Sequence, residues 1–197
     1  MPLLWALGIG IVAGLVRRGN LANLGRLRLR ALYLILLALL IQVLIFPLGS
    51  GAPILKVGAA YLHLLSYVLL LGFVALNRRY PEILVMGVGL CLNLIAIAAN
   101  GGYMPASAEA LRRAGLHEVA AALEQGLRQG NTVLMDAGTR LNFLGDFLYL
   151  PGWVPLASAF SLGDVVLGLG LATLVARRMV RPAPHPLPDP PPSEGEG

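Results

Sequence analysis

The stretch LKVGAAYLHLLSYVLLLGFVAL, residues 55–76, carries no charge after Lys56. A run of about 20 mostly apolar residues is what a helix needs to cross the hydrocarbon core of a bilayer. Four more segments of the same character lie around it, at about 2–16, 31–48, 82–99 and 156–176. The first is the shortest. Its arginines, Arg17 and Arg18, follow the apolar run and no A-x-A site comes after it, so it reads as a short glycine-rich span and not as a signal peptide. Composition agrees: 57% of the residues are hydrophobic and 13% charged, where a soluble domain carries about 25% charged. The expectation is an all-α integral membrane protein with five transmembrane helices. Residues 1–178 form one membrane domain, whose long extracytoplasmic loop, 100–155, contains short amphipathic helices.

Basic residues set the orientation. Arg17, Arg18, Arg26, Arg28 and Arg30 lie between the first and second spans, Arg78 and Arg79 between the third and fourth, and Arg177, Arg178 and Arg181 after the fifth. With alternating spans these three places share a side, whereas the short loop opposite offers only Lys56. The N-terminus is expected outside and the C-terminus in the cytoplasm, in a bacterial inner membrane. The net charge of +5 then suits anionic lipid headgroups and requires no nucleic acid. The tail RPAPHPLPDPPPSEGEG is proline-rich and then acidic, so residues 179–197 are expected to be a disordered cytoplasmic end. Cys91, the single cysteine, lacks partners at metal-ligand spacing and reads as a packing residue. No metal and no cofactor are expected.

The loop opens with NGGYMP, whose glycines and proline turn the chain as it leaves the fourth span. Ser107 is placed to cap a helix, and Gly115 and Gly126 divide the following segment into short pieces. Asp136 and Arg140 stand four residues apart, the spacing of a helical ion pair. Phe147, Tyr149 and Trp153 suit the headgroup level of a membrane. Within the spans, Gln42, His63 and Asn93 read as interhelical hydrogen-bonding groups. His63 with Tyr61 and Tyr67 could line a cavity, and Asn93 and Asn100 share a helix face.

Two aspartates, Asp146 and Asp164, bracket the apolar segment that leads into the last span. For each there is a structural reading. Ser161-x-x-Asp164 has the form of a helix-capping pair, and Asp146 after Gly145 has the form of a turn residue. There is also a chemical one. Carboxylates at the two ends of one loop can meet at its neck, and two carboxyls held close together cannot both ionise. One then serves as general acid while the other activates a water.

These motifs resemble those of the signal peptidase II family, the membrane aspartyl peptidases that process bacterial lipoproteins. FSLGDVVLGLG, residues 160–170, is similar to the F-N-x-A-D-x-x-I-x-x-G motif that starts that family's last helix, with Ser161 in place of the asparagine. LGDFL around Asp146 is similar to its V-V-D-F stretch. The resemblance implies Asp146 and Asp164 as the catalytic pair, four spans with both ends cytoplasmic, and an outward-facing site. Asn100, Arg140 and Asn142 stand as candidates for holding substrate. Over its whole length the chain is similar to uncharacterised small bacterial multi-pass membrane proteins, a family of unknown function, that share NGGYMP, LMDAGTRLNFLGD and SLGD stretches.

Two readings remain. The chain is an aspartyl hydrolase acting at the outer leaflet on a lipid-linked substrate, a lipoprotein or a membrane peptide. Alternatively it is a non-enzymatic scaffold, assembly or lipid-binding protein in which the aspartates are caps.

Overall fold

The structure, a computed structural model, describes residues 2–46 and 58–180. Five apolar helices form a bundle: α1 (Pro2–Val16), α2 (Tyr33–Ile45), α3 (Ala59–Leu76), α4 (Pro81–Ala99) and α7 (Leu162–Val180). Between α4 and α7 the chain folds into a cap of two short helices, α5 (Ala108–Arg113) and α6 (His117–Glu124), and four short strands. These are β1 (Met104–Ala106), β2 (Thr132–Leu134), β3 (Leu148–Leu150) and β4 (Ser158–Phe160).

Helix α7 is the hub, packed against both α1 and α4. Small residues allow the close approach. A Cβ added at Gly10 of α1 would lie 2.8 Å from the carbonyl oxygen of Ala172, and one at Gly89 of α4 would lie 2.5 Å from that of Gly163. Van der Waals packing of small residues is the association force available between apolar helices when no water is there to be expelled. Phe73, Val74, Ile83, Leu90, Leu167 and Leu174 form the core shared by α3, α4 and α7. Elsewhere the helices turn apolar side chains outward: Val12, Leu36, Val88 and Leu169 are all more than half exposed.

Two helices, α3 and α4, are long and apolar enough to cross a membrane, which points to membrane association. Helices α1 and α2 are apolar but have 15 and 13 residues. Helix α7 matches α4 at 19 residues but carries Asp164 at one end and Arg177 and Arg178 at the other.

The cap departs from an all-α expectation. Strands β1 and β2 pair in parallel, Met104 opposite Thr132, and β3 and β4 pair antiparallel, Leu148 opposite Phe160. The backbone of a segment without helical periodicity finds its hydrogen-bond partners across the loop instead. The fifth apolar segment is accordingly divided: residues 158–160 are strand, and the helix starts at Leu162, not near 156. The cap has its own core of Ala106, Leu111, Ala120 and Leu123. Ser107 does cap α5, accepting the Ala110 N–H at 3.3 Å. Gly115 and Gly126, at φ 77° and 79°, end α5 and α6 in the left-handed conformation that closes a Schellman turn.

Other expectations are corrected. Asp136 and Arg140 form no helical pair, because the backbone there is a turn and the Asp136 carboxylate accepts the amides of Gly138 and Thr139. Cys91 is exposed on α4 and is not a buried packing residue. Tyr61 is 80% exposed and lines no cavity with His63. The ends of the second and third apolar segments near 47–57, Lys56 and the tail from 181 onward lie outside the described residues, although Met179 and Val180 are helical.

Candidate functional site

Asp146 is fixed by its backbone. Its N–H donates to the Pro105 carbonyl at 2.8 Å and its own carbonyl accepts the Ser107 N–H at 3.0 Å, so it bridges to the edge of β1. The preceding residue has to be small: a Cβ at Gly145 would lie 2.5 Å from the Pro105 carbonyl oxygen. From Asp146 the chain enters β3, turns and returns along β4. The antiparallel register therefore sets the residues just before Leu148 beside those just after Phe160, closing the neck of the loop.

Asp164 stands in the first turn of α7. Its N–H donates to Ser161 Oγ at 3.0 Å, and its Oδ2 accepts the Ser161 N–H at 3.3 Å, a reciprocal capping pair. Asn93 of α4 completes the cluster. Ser161 Oγ donates to Asn93 Oδ1 at 2.7 Å, and Asn93 Nδ2 donates to Asp164 Oδ1 at 2.9 Å. Ser161 and Asn93 are both buried. Gly163 makes room, since a Cβ there would collide with the Asn93 amide. Tyr67 of α3 reaches the same place: its hydroxyl interacts with the Asn93 side chain and lies within the field of both carboxylates.

Asp146 lies within the field of Asp164. The Asp146 carboxyl is pushed up to about 7, first by burial and then by the negative charge of Asp164. Part of the residue stays accessible, but its carboxyl is largely removed from water. Because the folded state favours the protonated acid, its stabilising contribution is complete below the ordinary value of 3.8 and is lost as pH rises through about 7. Thermal stability in a detergent micelle is expected to fall over that window by roughly 2 kcal/mol, after discounting for partial exposure. Asp146→Asn should flatten the slope and be the more stable protein above pH 7; an unchanged slope would contradict the assignment.

A small apolar cleft of about 210 Å³ opens beside Asp164, walled by Pro2, Leu3 and Leu4 of α1. The Trp5 indole N–H holds that end of α1 to the cap by donating to the Pro155 carbonyl at 2.9 Å.

The three supporting candidates lie elsewhere. Asn100 clamps the backbone of Arg140: its Oδ1 accepts the Arg140 N–H and its Nδ2 donates to the Arg140 carbonyl, both at 2.8 Å. Asn142 accepts from Thr139 Oγ1 at 2.8 Å and donates to the Asp136 carbonyl at 3.0 Å. Both amides hold the turn together. Arg140 projects into a second, larger cleft of about 560 Å³ under α6 and β2. Among the described residues no three His, Cys, Asp or Glu side chains gather as a metal site.

Sequence reasoning joined Ser161 to Asp164 as a capping pair, which the structure shows, but weighed Asn93 and Tyr67 separately and joined neither to the aspartates. It passed over Glu82 altogether. Glu82 is 2% exposed at the start of α4, where Arg177 and Arg178 of α7 meet it at 3.1 and 3.2 Å.

The bundle, its folded cap and the buried polar cluster between them define a helical, membrane-associated protein with a carboxylate-bearing pocket at one end. The chain belongs to a family of unknown function, DUF5317, whose sequence model matches residues 26–176. That match takes in both aspartates, Asn93, Tyr67 and the whole cap, and leaves the first helix entirely outside. No curated protein matches the chain. No solved structure matches it either.

Proposed function

We propose that this protein is a membrane-embedded aspartyl hydrolase with Asp146 and Asp164 as its acid–base pair. One feature carries the reading: Asp146 sits at the neck of the loop with its carboxyl largely out of water, and burial, then the charge of Asp164, push that carboxyl up to about 7. A carboxyl with a value close to the working pH is suited to give and take protons in a transition state. In this scheme Asp164 takes the proton of a water as that water adds to a carbonyl, and Asp146 gives its proton to the departing group. Asn93 and Ser161 hold Asp164 in place, and Tyr67 covers the pair. The apolar cleft beside Asp164 suits a lipid-linked or membrane-spanning peptide, as does the local resemblance to signal peptidase II.

The same proposal places five spans in a bacterial inner membrane, the N-terminus outside and the C-terminus in the cytoplasm. Its support is the gathering of the arginine-rich segments at one end of the bundle. The amide of Asn77 brackets Arg30 by accepting its N–H and donating to its carbonyl, Arg79 and Tyr80 donate to the Arg28 carbonyl, and Asn23 donates to the Met179 carbonyl. The aspartates lie at the opposite end, at the outer leaflet. Helices α1 and α2, about 22 and 20 Å long at 1.5 Å per residue, would be met by local thinning of the bilayer.

A scaffold or lipid-binding role is favoured by one feature: both oxygens of Asp164 are already engaged, by Asn93 and by the Ser161 amide. The test separates the two. Asp146→Asn and Asp164→Asn, each produced in cells lacking the native gene, are expected to leave the protein folded and reduce turnover of the accumulated lipoprotein or lipid at least about 100-fold. Full complementation by both folded variants would overturn the hydrolase.

A further inference from the structure

The cap contains four arginines, and they fall into two kinds. Arg112 is paired with Glu124 at 2.5 Å and Arg113 with Glu109 at 2.7 Å. Arg128 and Arg140 have no carboxylate partner among the described residues, and both line the 560 Å³ cleft beneath α6. The one acid in that cleft, Asp136, accepts the amides of Gly138 and Thr139 on Oδ1 at 2.7 and 3.1 Å and forms no ion pair with either guanidinium among the described residues.

The two arginines are also held. Asn100 grips the Arg140 backbone on both sides, and the next residue, Leu141, sits at φ 55°, a left-handed conformation that a branched side chain rarely adopts. Strain of this kind persists where the surroundings enforce it, and it gathers at binding sites. The Arg128 guanidinium is held over the Tyr103 ring, its central carbon 4.1 Å from the centroid.

We propose that this cleft is a binding site for a phosphate group, gripped between Arg128 and Arg140. Guanidinium groups match phosphate oxygens two at a time, and two of them in one cleft with no ion pair to an acid form the ordinary protein answer to that ligand. The cleft lies in the cap that leads back to the apolar helices, so either a phospholipid headgroup or a soluble phosphate ester can supply the group. The inference stands apart from the aspartate pair and survives if that reading fails.

The full chain is reconstituted in phosphatidylcholine nanodiscs. One arm dopes the discs with phosphatidylglycerol, and the other adds glycerol 1-phosphate to undoped discs. A rise in thermal midpoint with the doped lipid alone identifies a headgroup site; a rise with the soluble ester identifies a soluble ligand. In either arm Arg128→Gln and Arg140→Gln should each weaken binding about tenfold, and Arg140→Lys, which keeps the charge but loses the fork, should fall between. Arg112→Gln, outside the cleft, serves as the control for cap integrity and general charge. No midpoint shift with either probe, or a shift that the double glutamine variant retains, would overturn the site.

Discussion

Replacing Glu82 with alanine is expected to destabilise the protein by about 3 kcal/mol, the low end of the range for removing one partner from a buried ion pair. Glu82 is 2% exposed and answers two guanidinium groups from the last turn of α7. Arg178 Nη2 donates to Oε2 at 3.2 Å, whereas Oε1 stands 3.1 Å from Arg177 Nη1 without hydrogen-bond geometry and Arg178 Nε is buried with no acceptor, so one directed bond and Coulomb attraction together hold the charges. Once the carboxylate is gone the arginines differ. Arg177, with a side chain 38% exposed, can turn to water. Arg178 remains in place over the Tyr80 ring, its cation 4.8 Å from the centroid, and carries most of the penalty. Glu82→Gln should behave almost as badly, because shape is kept and charge lost. Unfolding monitored in denaturant is the measurement; a glutamine variant as stable as the parent would show that the pair does not hold α4 to α7.

Gly163→Ala is expected to be the next most damaging change, by about 3 kcal/mol, the upper end for overpacking a filled site. The added methyl would collide with the Asn93 amide and lie 2.8 Å from the Gly89 carbonyl oxygen. Backbone cannot give way cheaply there, since Gly89 is itself a close-contact position on α4. Asn93 would have to leave Asp164 and Ser161, which strips Asp164 of one hydrogen bond and Ser161 of its acceptor. Gly168→Ala makes the comparison: its Cβ would meet only the side chain of Ala6, at 3.2 Å. Circular dichroism melts of the two variants should separate clearly, with Gly163→Ala the lower. Equal midpoints would mean that the α4–α7 contact is looser than described.

Much of this architecture is legible in the chain. Apolar runs without charges give the helices because nothing else satisfies the backbone in such segments, and the glycines after α5 and α6 stop them where a left-handed residue is needed. The neck that brings Asp146 toward Asp164 follows from their placement at the two ends of one apolar loop. The strands are not legible: three-residue segments such as Leu148–Leu150 have no period to read, and their pairing depends on where the rest of the cap folds. Nor is the destination of the polar residues. Asn93 lies within α4 and Asn100 caps its C-terminal end, and in sequence the two read alike, yet one braces the aspartate and the other a turn of backbone. Glu82 beside Pro81 looks like an ordinary helix start, and only the arrival of α7 makes it a buried charge.

The reading of the site stands on the Asp146 carboxyl being pushed up to about 7, first by burial and then by the charge of Asp164. Infrared titration of the carboxyl band, assigned with Asp146→Asn, measures this directly and requires no substrate. A band titrating at about 7 that moves to lower pH in Asp164→Asn is the result expected. A band titrating near the ordinary 3.8, or one at about 7 that ignores the loss of Asp164, would contradict it.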